Sequence, residues 1–84
     1  MINEKTYKLV LFNDNTHDFE YVMASLIKFC DHSLEQSEQC TLIANNVGKC
    51  IVKEGGILDI MEIKTHLEQL ELITEIETHE SYMH

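Results

Sequence analysis

The fold is decided by residues 7–15, which have the sequence YKLVLFNDN. Residues 7–12 form a mainly apolar and aromatic run, with apolar side chains at both odd and even positions. Because successive side chains of a strand point to opposite faces, this run predicts a strand in the middle of a sheet rather than at its edge. Asn13, Asp14 and Asn15 then end the strand. They are either turn and capping residues only, or a candidate binding site.

Hydrophobic spacing after this turn predicts three helices and two further strands. Ser33 and Gln36 mark the start of the second helix, since in a capping box each side chain bonds the other residue's backbone amide. Residues 45–48, NNVG, end it, and Gly48 or one of the two asparagines suits the left-handed cap. The predicted elements after residue 12 are a helix over residues 18–30, a helix over 33–44, a strand over 49–53, a helix over 58–70, a strand over 72–76 and a loose polar tail over 78–84.

The predicted order of elements is β-α-α-β-α-β, which places the chain in the α+β class. A strand, a helix and a strand form a right-handed crossover whose two strands run parallel. The first strand can then lie between them, antiparallel to both. We therefore expect a single domain spanning residues 1–84, with its core over 7–77. The first strand is the centre of a three-stranded antiparallel sheet, and the three helices cover one face.

The charge balance excludes one class of partner. The chain has 84 residues with 15 acidic and 6 basic side chains, and its formal net charge is -9. Nucleic-acid binding requires concentrated Lys and Arg, and the sequence has no such cluster. We therefore expect no nucleic-acid partner. The acidity favours a soluble monomer or steering toward a basic protein surface.

The remaining composition indicates a cytoplasmic protein that is not an enzyme. Cys30, Cys40 and Cys50 form no paired motif, and their odd number does not suit a disulfide framework. The sequence shows neither a secretory signal nor an apolar run of membrane-spanning length, so we expect no membrane association. The five histidines lack metal-ligand spacing. We expect no metal and no cofactor.

The predicted topology brings one candidate binding site together. The end of the central strand, the start of the first helix and the end of the second helix meet there, and polar side chains lie beside an apolar wall. A carboxylate with neighbouring carbonyl oxygens accepts the hydrogens of a primary ammonium group, while the wall takes an attached hydrocarbon side chain. The N-terminal residue of a peptide has both features. The polar residues are Asn13, Asp14 and Asn45, and the apolar residues are Phe19, Val22 and Ala44.

The sequence resembles the ClpS family, adaptors of the Clp protease that capture proteins with destabilising N-terminal residues. Residues 11–15, LFNDN, are similar to the family's apolar pair followed by Asn-Asp-Asp, and residues 19–22, FEYV, are similar to its Met-Glu-Phe-Val. The resemblance covers residues 7–77. It continues through Gly48 and Lys49. After a one-residue deletion near residues 55–56, Asp59, Glu62 and Lys64 match the family's acidic-x-x-Glu-x-Lys pattern, and a shorter final connection aligns Leu72 with the last pocket position.

This resemblance implies an adaptor that binds N-degron substrates beginning with Leu, Phe, Tyr or Trp. It also implies a partner, the N-terminal domain of a Clp AAA+ unfoldase, to which the substrates are presented. The resemblance implies that Asn13 and Asp14 bind the α-amino group, with Asn45 in place of the family's His. The implied side-chain pocket consists of Phe19, Val22, Thr41, Ala44 and Leu72. The implied docking residues for the unfoldase are Asp59, Glu62 and Lys64.

Several departures from the family's pattern lie at this site. His17 and Asp18 replace the family's Thr-Pro, and we expect the His17 side chain to face solvent. Phe19 takes the position of a Met that narrows the pocket mouth, and its rigid ring predicts exclusion of β-branched N-terminal residues. Thr41 and Ala44 replace larger apolar groups, which predicts a wider or more polar pocket floor.

Two other interpretations remain open. The topology also suits a structural or protein-interaction module, comparable to the C-terminal domain of the ribosomal stalk, with no amine pocket. Alternatively, the chain regulates the unfoldase by docking without delivering substrate. The family hands its cargo over through a disordered N-terminal extension, and here only residues 1–6 precede the first strand.

Overall fold

A computed structural model describes residues 5–79 of the chain. The predicted order of strands and helices is confirmed. The elements are β1 (Thr6–Phe12), α1 (Phe19–Cys30), α2 (Leu34–Val47), β2 (Lys49–Gly55), α3 (Ile57–Gln69) and β3 (Thr74–His79).

The three strands form one sheet in the order β2-β1-β3. β1 runs antiparallel to both neighbours, and Leu11 pairs with Cys50 on β2 and with Thr74 on β3. Leu9, Val10 and Leu11 are each at most 1% exposed. Leu9 and Leu11 belong to the core cluster on the helix-covered face, whereas Val10 points to the opposite face, between the two flanking strands. The predicted central position of the first strand is confirmed.

The helices pack on one face of the sheet and form the core with it. Leu26 on α1 and Ile60 and Leu67 on α3 are fully buried in one cluster with Leu9 and Leu11. α2 adds little apolar bulk, as its sequence predicts. The buried side chains of α2 are Ser37, Thr41 and Ala44.

α2 continues beyond its predicted end at residue 44 and reaches Val47. Its C-cap is Gly48, which has φ 113° and donates its amide hydrogen to the Ala44 carbonyl at 2.9 Å. Such a left-handed backbone is readily adopted by glycine. Asn45 and Asn46, whose polarity suggested the helix end, are instead exposed residues of its last turn.

The connection from α3 to β3 is longer than predicted, and β3 begins at Thr74 rather than at residue 72. Glu71 adopts a left-handed backbone with φ 66°. The amide of Leu72 donates to the Leu67 carbonyl at 3.0 Å. Leu72 therefore belongs to the turn that closes α3 and not to the strand.

The prediction of a loose tail is wrong for residues 78 and 79, because Thr78 pairs with Tyr7 and His79 with Thr6 in the β1–β3 ladder. Residues 80–84 of that tail lie outside the described residues. Within residues 5–79, the helices are too short or too polar to cross a membrane.

The three cysteines are free thiols. Burial raises the pKa of the Cys30 thiol to about 12, and burial together with the neighbouring Cys40 thiol raises the pKa of Cys50 to about 12. Since the thiolate is the reactive form of cysteine, Cys30 and Cys50 are poor nucleophiles at neutral pH.

Candidate functional site

A small cavity lies where β1 ends, α1 begins and α2 ends, and its volume is about 50 Å³. Since one water needs about 10–15 Å³ of such a volume, the cavity has room for about four waters. This space is close to the size of one amino-acid side chain. Its walls are Leu11, Phe12, Asn13, Asp14, His17, Phe19, Val22, Thr41, Ala44 and Asn45. The structure therefore brings together all of the residues predicted for the binding pocket except Leu72.

Backbone hydrogen bonds fix the end of β1 on both sides. The Phe12 amide donates to the Ile73 carbonyl just before β3, and the Asn13 amide donates to the Gly48 carbonyl, both at 2.9 Å. Because Gly48 also caps α2, Asn13 is held close to the end of α2, where Asn45 lies. Both asparagines are exposed at the rim of the cavity, so their side-chain oxygens are available to a ligand.

Asp14 is the acidic side chain of the cavity, and its side chain is 7% exposed. Its Oδ1 accepts hydrogen bonds from the amides of Thr16 at 2.6 Å and His17 at 3.3 Å, while its Oδ2 contacts Nδ1 of the His17 ring. Burial acts to raise the pKa of Asp14, but the bonds from His17 and Thr16 favour the charged form and leave that pKa below its usual value. Asp14 is therefore a carboxylate at neutral pH, and its Oδ2 retains a lone pair for a second donor.

The His17 side chain lies in the cavity wall, where it is 15% exposed. Besides contacting Asp14, its ring stacks on Tyr21 with the ring centroids 4.7 Å apart and the planes 8° from parallel. The Tyr21 hydroxyl donates to the Leu70 carbonyl at 3.0 Å, which ties the stack to the end of α3. The expectation that His17 faces solvent is wrong, because the buried Asp14 carboxylate and the Tyr21 ring hold the imidazole.

A sequence signal for the position of His17 does exist. An aspartate whose side chain bonds the backbone amides two and three residues later forms an Asx turn. In that geometry the carboxylate of Asp14 points toward residue 17, and a donor there reaches it. The spacing of Asp14 and His17 directly after a strand is therefore the pattern that indicates their contact.

Apolar side chains of α1 and α2 complete the wall. Phe19, the first residue of α1, is half-buried, whereas Val22 and Ala44 are buried. The hydroxyl of Thr41 donates to the Ser37 carbonyl within α2 at 2.7 Å, so it needs no partner in the cavity. The floor formed by Thr41 and Ala44 thus consists of small side chains whose polar group is already satisfied.

Four residues predicted for function lie away from the cavity. Leu72 is 3% exposed and packs in the hydrophobic core. Asp59 and Glu62 are exposed on α3, and the Lys64 ammonium contacts the Glu68 carboxylate. Among the described residues, α3 contributes none to the cavity wall, so the residues predicted for docking form a separate surface.

The arrangement suits the capture of a small cation that carries a hydrocarbon group. A carboxylate and two amide side chains provide acceptors for ammonium hydrogens, and the apolar floor takes one side chain. In the part of the chain that the structure describes, no group of three or more His, Cys, Asp or Glu side chains is placed to hold a metal ion.

Comparisons with known proteins identify a family and a fold. The family model described as "ATP-dependent Clp protease adaptor protein ClpS" matches residues 3–80. The solved structure of Agrobacterium tumefaciens ClpS2 bound to L-phenylalaninamide matches with a TM-score of 0.84 and 19% sequence identity, over 92% of this chain and 100% of that one. At this identity the structural match shows the fold. No curated relative matches the sequence.

Proposed function

The chain belongs to the ClpS family of ATP-dependent Clp protease adaptors, and from that premise we propose that it captures N-degron substrates through their first residue. The free α-amino group binds Asp14, Asn13 and Asn45, and the first side chain enters the cavity between α1 and α2. The adaptor presents the captured protein to a Clp AAA+ unfoldase. This is a binding function without a catalytic step.

One observation carries the proposal, namely that a carboxylate whose side chain is 7% exposed and whose pKa is lowered borders a cavity of single-side-chain size. A buried carboxylate gives a strong, charge-assisted bond to an ammonium group. The ligand of the Agrobacterium protein supports the same chemistry, since L-phenylalaninamide combines a free α-amino group with a benzyl side chain. The two features of the cavity match these two groups.

Docking on the unfoldase is proposed for Asp59, Glu62 and Lys64 of α3. Asp59 and Glu62 are exposed, and they lie on an element that is separate from the cavity wall. A substrate held in the cavity then leaves this surface free for the N-terminal domain of the unfoldase. The acidic side chains would meet a basic patch on that partner.

A peptide that begins with Phe is expected to bind at least about tenfold more tightly than the same peptide with an acetylated N-terminus. Acetylation removes the positive charge and two of the hydrogens that the Asp14 and asparagine oxygens accept. Fluorescence anisotropy with a label at the C-terminus of each peptide measures both affinities. Equal affinities would exclude amine capture and would leave the interpretation as a docking or interaction module.

A peptide that begins with Ile is expected to bind about tenfold more weakly than its Leu counterpart, since the difference rests on the placement of one methyl group. Phe19 borders the cavity at the start of α1. A β-branched residue carries a second methyl group on its β-carbon, and we expect this methyl to meet the Phe19 ring at the mouth of the cavity. The same titration measures the ratio of the two affinities. Phe19→Ala should reduce the ratio, and equal binding of both peptides to the unaltered chain would show that Phe19 does not restrict the mouth.

A further inference from the structure

The candidate amine acceptor is already occupied in part by a side chain of the same molecule. Asp14 Oδ2 contacts Nδ1 of His17, and Oδ1 is bonded by two backbone amides. An incoming ammonium group therefore meets a carboxylate with few remaining acceptor positions. The remaining free lone pair lies on Oδ2, which is the oxygen that His17 contacts.

We propose that His17 sets the affinity and the pH dependence of amine capture by competing, when protonated, with the bound ammonium group for Asp14. This inference rests on the proposed function. A neutral His17 donates one hydrogen bond and leaves the negative charge of Asp14 for the ligand. A protonated His17 places a second positive charge beside the same carboxylate and repels the ammonium group.

The environment of His17 holds the ring in the position where it competes. Tyr21 covers one face of the imidazole, and the bond from its hydroxyl to the Leu70 carbonyl fixes it there. The side chain of His17 is 15% exposed and that of Asp14 is 7% exposed, so water screens this pair less than it screens a surface pair. Rotation of His17 away from Asp14 would break the stack on Tyr21.

Among the described residues, Asp14 is the charged side chain that contacts His17. Among the residues that line the cavity from β1, α1 and α2, Asp14 is the charged partner, and Asn13 and Asn45 are neutral. The end of α3 contributes the Leu70 carbonyl through Tyr21. Three acidic residues lie close in sequence to His17 or to Leu70, and all three are exposed: Asp18, Glu20 and Glu71.

The direction of the pH effect follows from the two groups. The pKa of Asp14 lies below its usual value, so Asp14 stays ionised at mildly acid pH. A loss of affinity toward acid that His17→Asn abolishes is therefore caused by His17 and not by protonation of Asp14. A loss toward alkaline pH reports on the ligand, since an α-amino group deprotonates near about pH 7.7–8.0.

The test is a titration of the Phe-initiated peptide and its acetylated twin at about pH 5.5 and about pH 7.5. In the unaltered chain the free peptide should bind about tenfold more weakly at the acid value, which is the order of one charge–charge repulsion near a protein surface. In His17→Asn the affinity should vary less than about twofold, and at the acid value it should exceed that of the unaltered chain. A purely structural role of His17 would not raise the affinity.

His66→Asn is the matched control, because His66 also stacks on an aromatic ring, Phe29, but does not line the cavity. It should keep the pH profile of the unaltered chain. If the free peptide binds in preference to its acetylated twin but His17→Asn shows the same acid loss, competition by His17 is overturned and amine capture stands. If the unaltered chain does not distinguish the two peptides, both the proposed function and this inference fall.

Discussion

Asp14→Asn is expected to weaken the binding of a Phe-initiated peptide by about 100-fold, or about 2.7 kcal/mol. The substitution keeps the shape of the side chain, and the amide oxygen can still accept from Thr16 and His17 as Oδ1 does now. It removes the negative charge and turns the group beside the ligand from an acceptor into a donor. Isothermal titration calorimetry or anisotropy with the free and acetylated peptides measures the loss.

Asp18→Asn is the matched control for this variant. Asp18 is exposed and precedes α1, and its side chain makes no capping hydrogen bond. It carries the same charge close to the cavity, so a general electrostatic effect would weaken binding in both variants. An Asp14→Asn protein that folds normally by circular dichroism and still prefers the free peptide by the original ratio would contradict the role of Asp14.

The centre of the fold is predictable because its signals are strong and local. The run of residues 7–12 forms the middle strand, and its residues 9–11 are buried. Ser33 accepts the Gln36 amide at 3.0 Å, which is one of the two bonds of the predicted capping box. Boundaries that depend on a single backbone angle are harder to predict. Glu71 takes a left-handed conformation that few residues other than glycine, asparagine or aspartate adopt, so its sequence gives no sign of the turn that delays β3.

The residues of the cavity could be predicted from topology and from the family resemblance, whereas their contacts could not. The burial of Leu72 in the core depends on how the helices pack. His17 shows the difference most clearly. The Asx-turn spacing of Asp14 and His17 indicates a contact between them, but the stack of His17 on Tyr21, which holds the imidazole in the cavity wall, depends on three-dimensional packing.

Ala44→Leu is expected to weaken the binding of a Phe-initiated peptide by about 30-fold, or about 2 kcal/mol, because the peptide loses the burial of its first side chain. Ala44 is 4% exposed and forms part of the floor of a cavity of about 50 Å³. An isobutyl group at this position would fill that space, while the polar residues of the rim would remain. Anisotropy titrations with Phe-, Leu- and Ala-initiated peptides measure the effect.

Ala24→Leu is the matched control, since Ala24 is an exposed residue in the middle of α1 that does not line the cavity. Ala44→Leu and Asp14→Asn should change different binding preferences. In Ala44→Leu the preference for Phe over Ala disappears while the preference for a free over an acetylated N-terminus persists, because the two variants remove different halves of the recognition. Unchanged preference for Phe in a folded Ala44→Leu protein would place the first side chain of the ligand elsewhere.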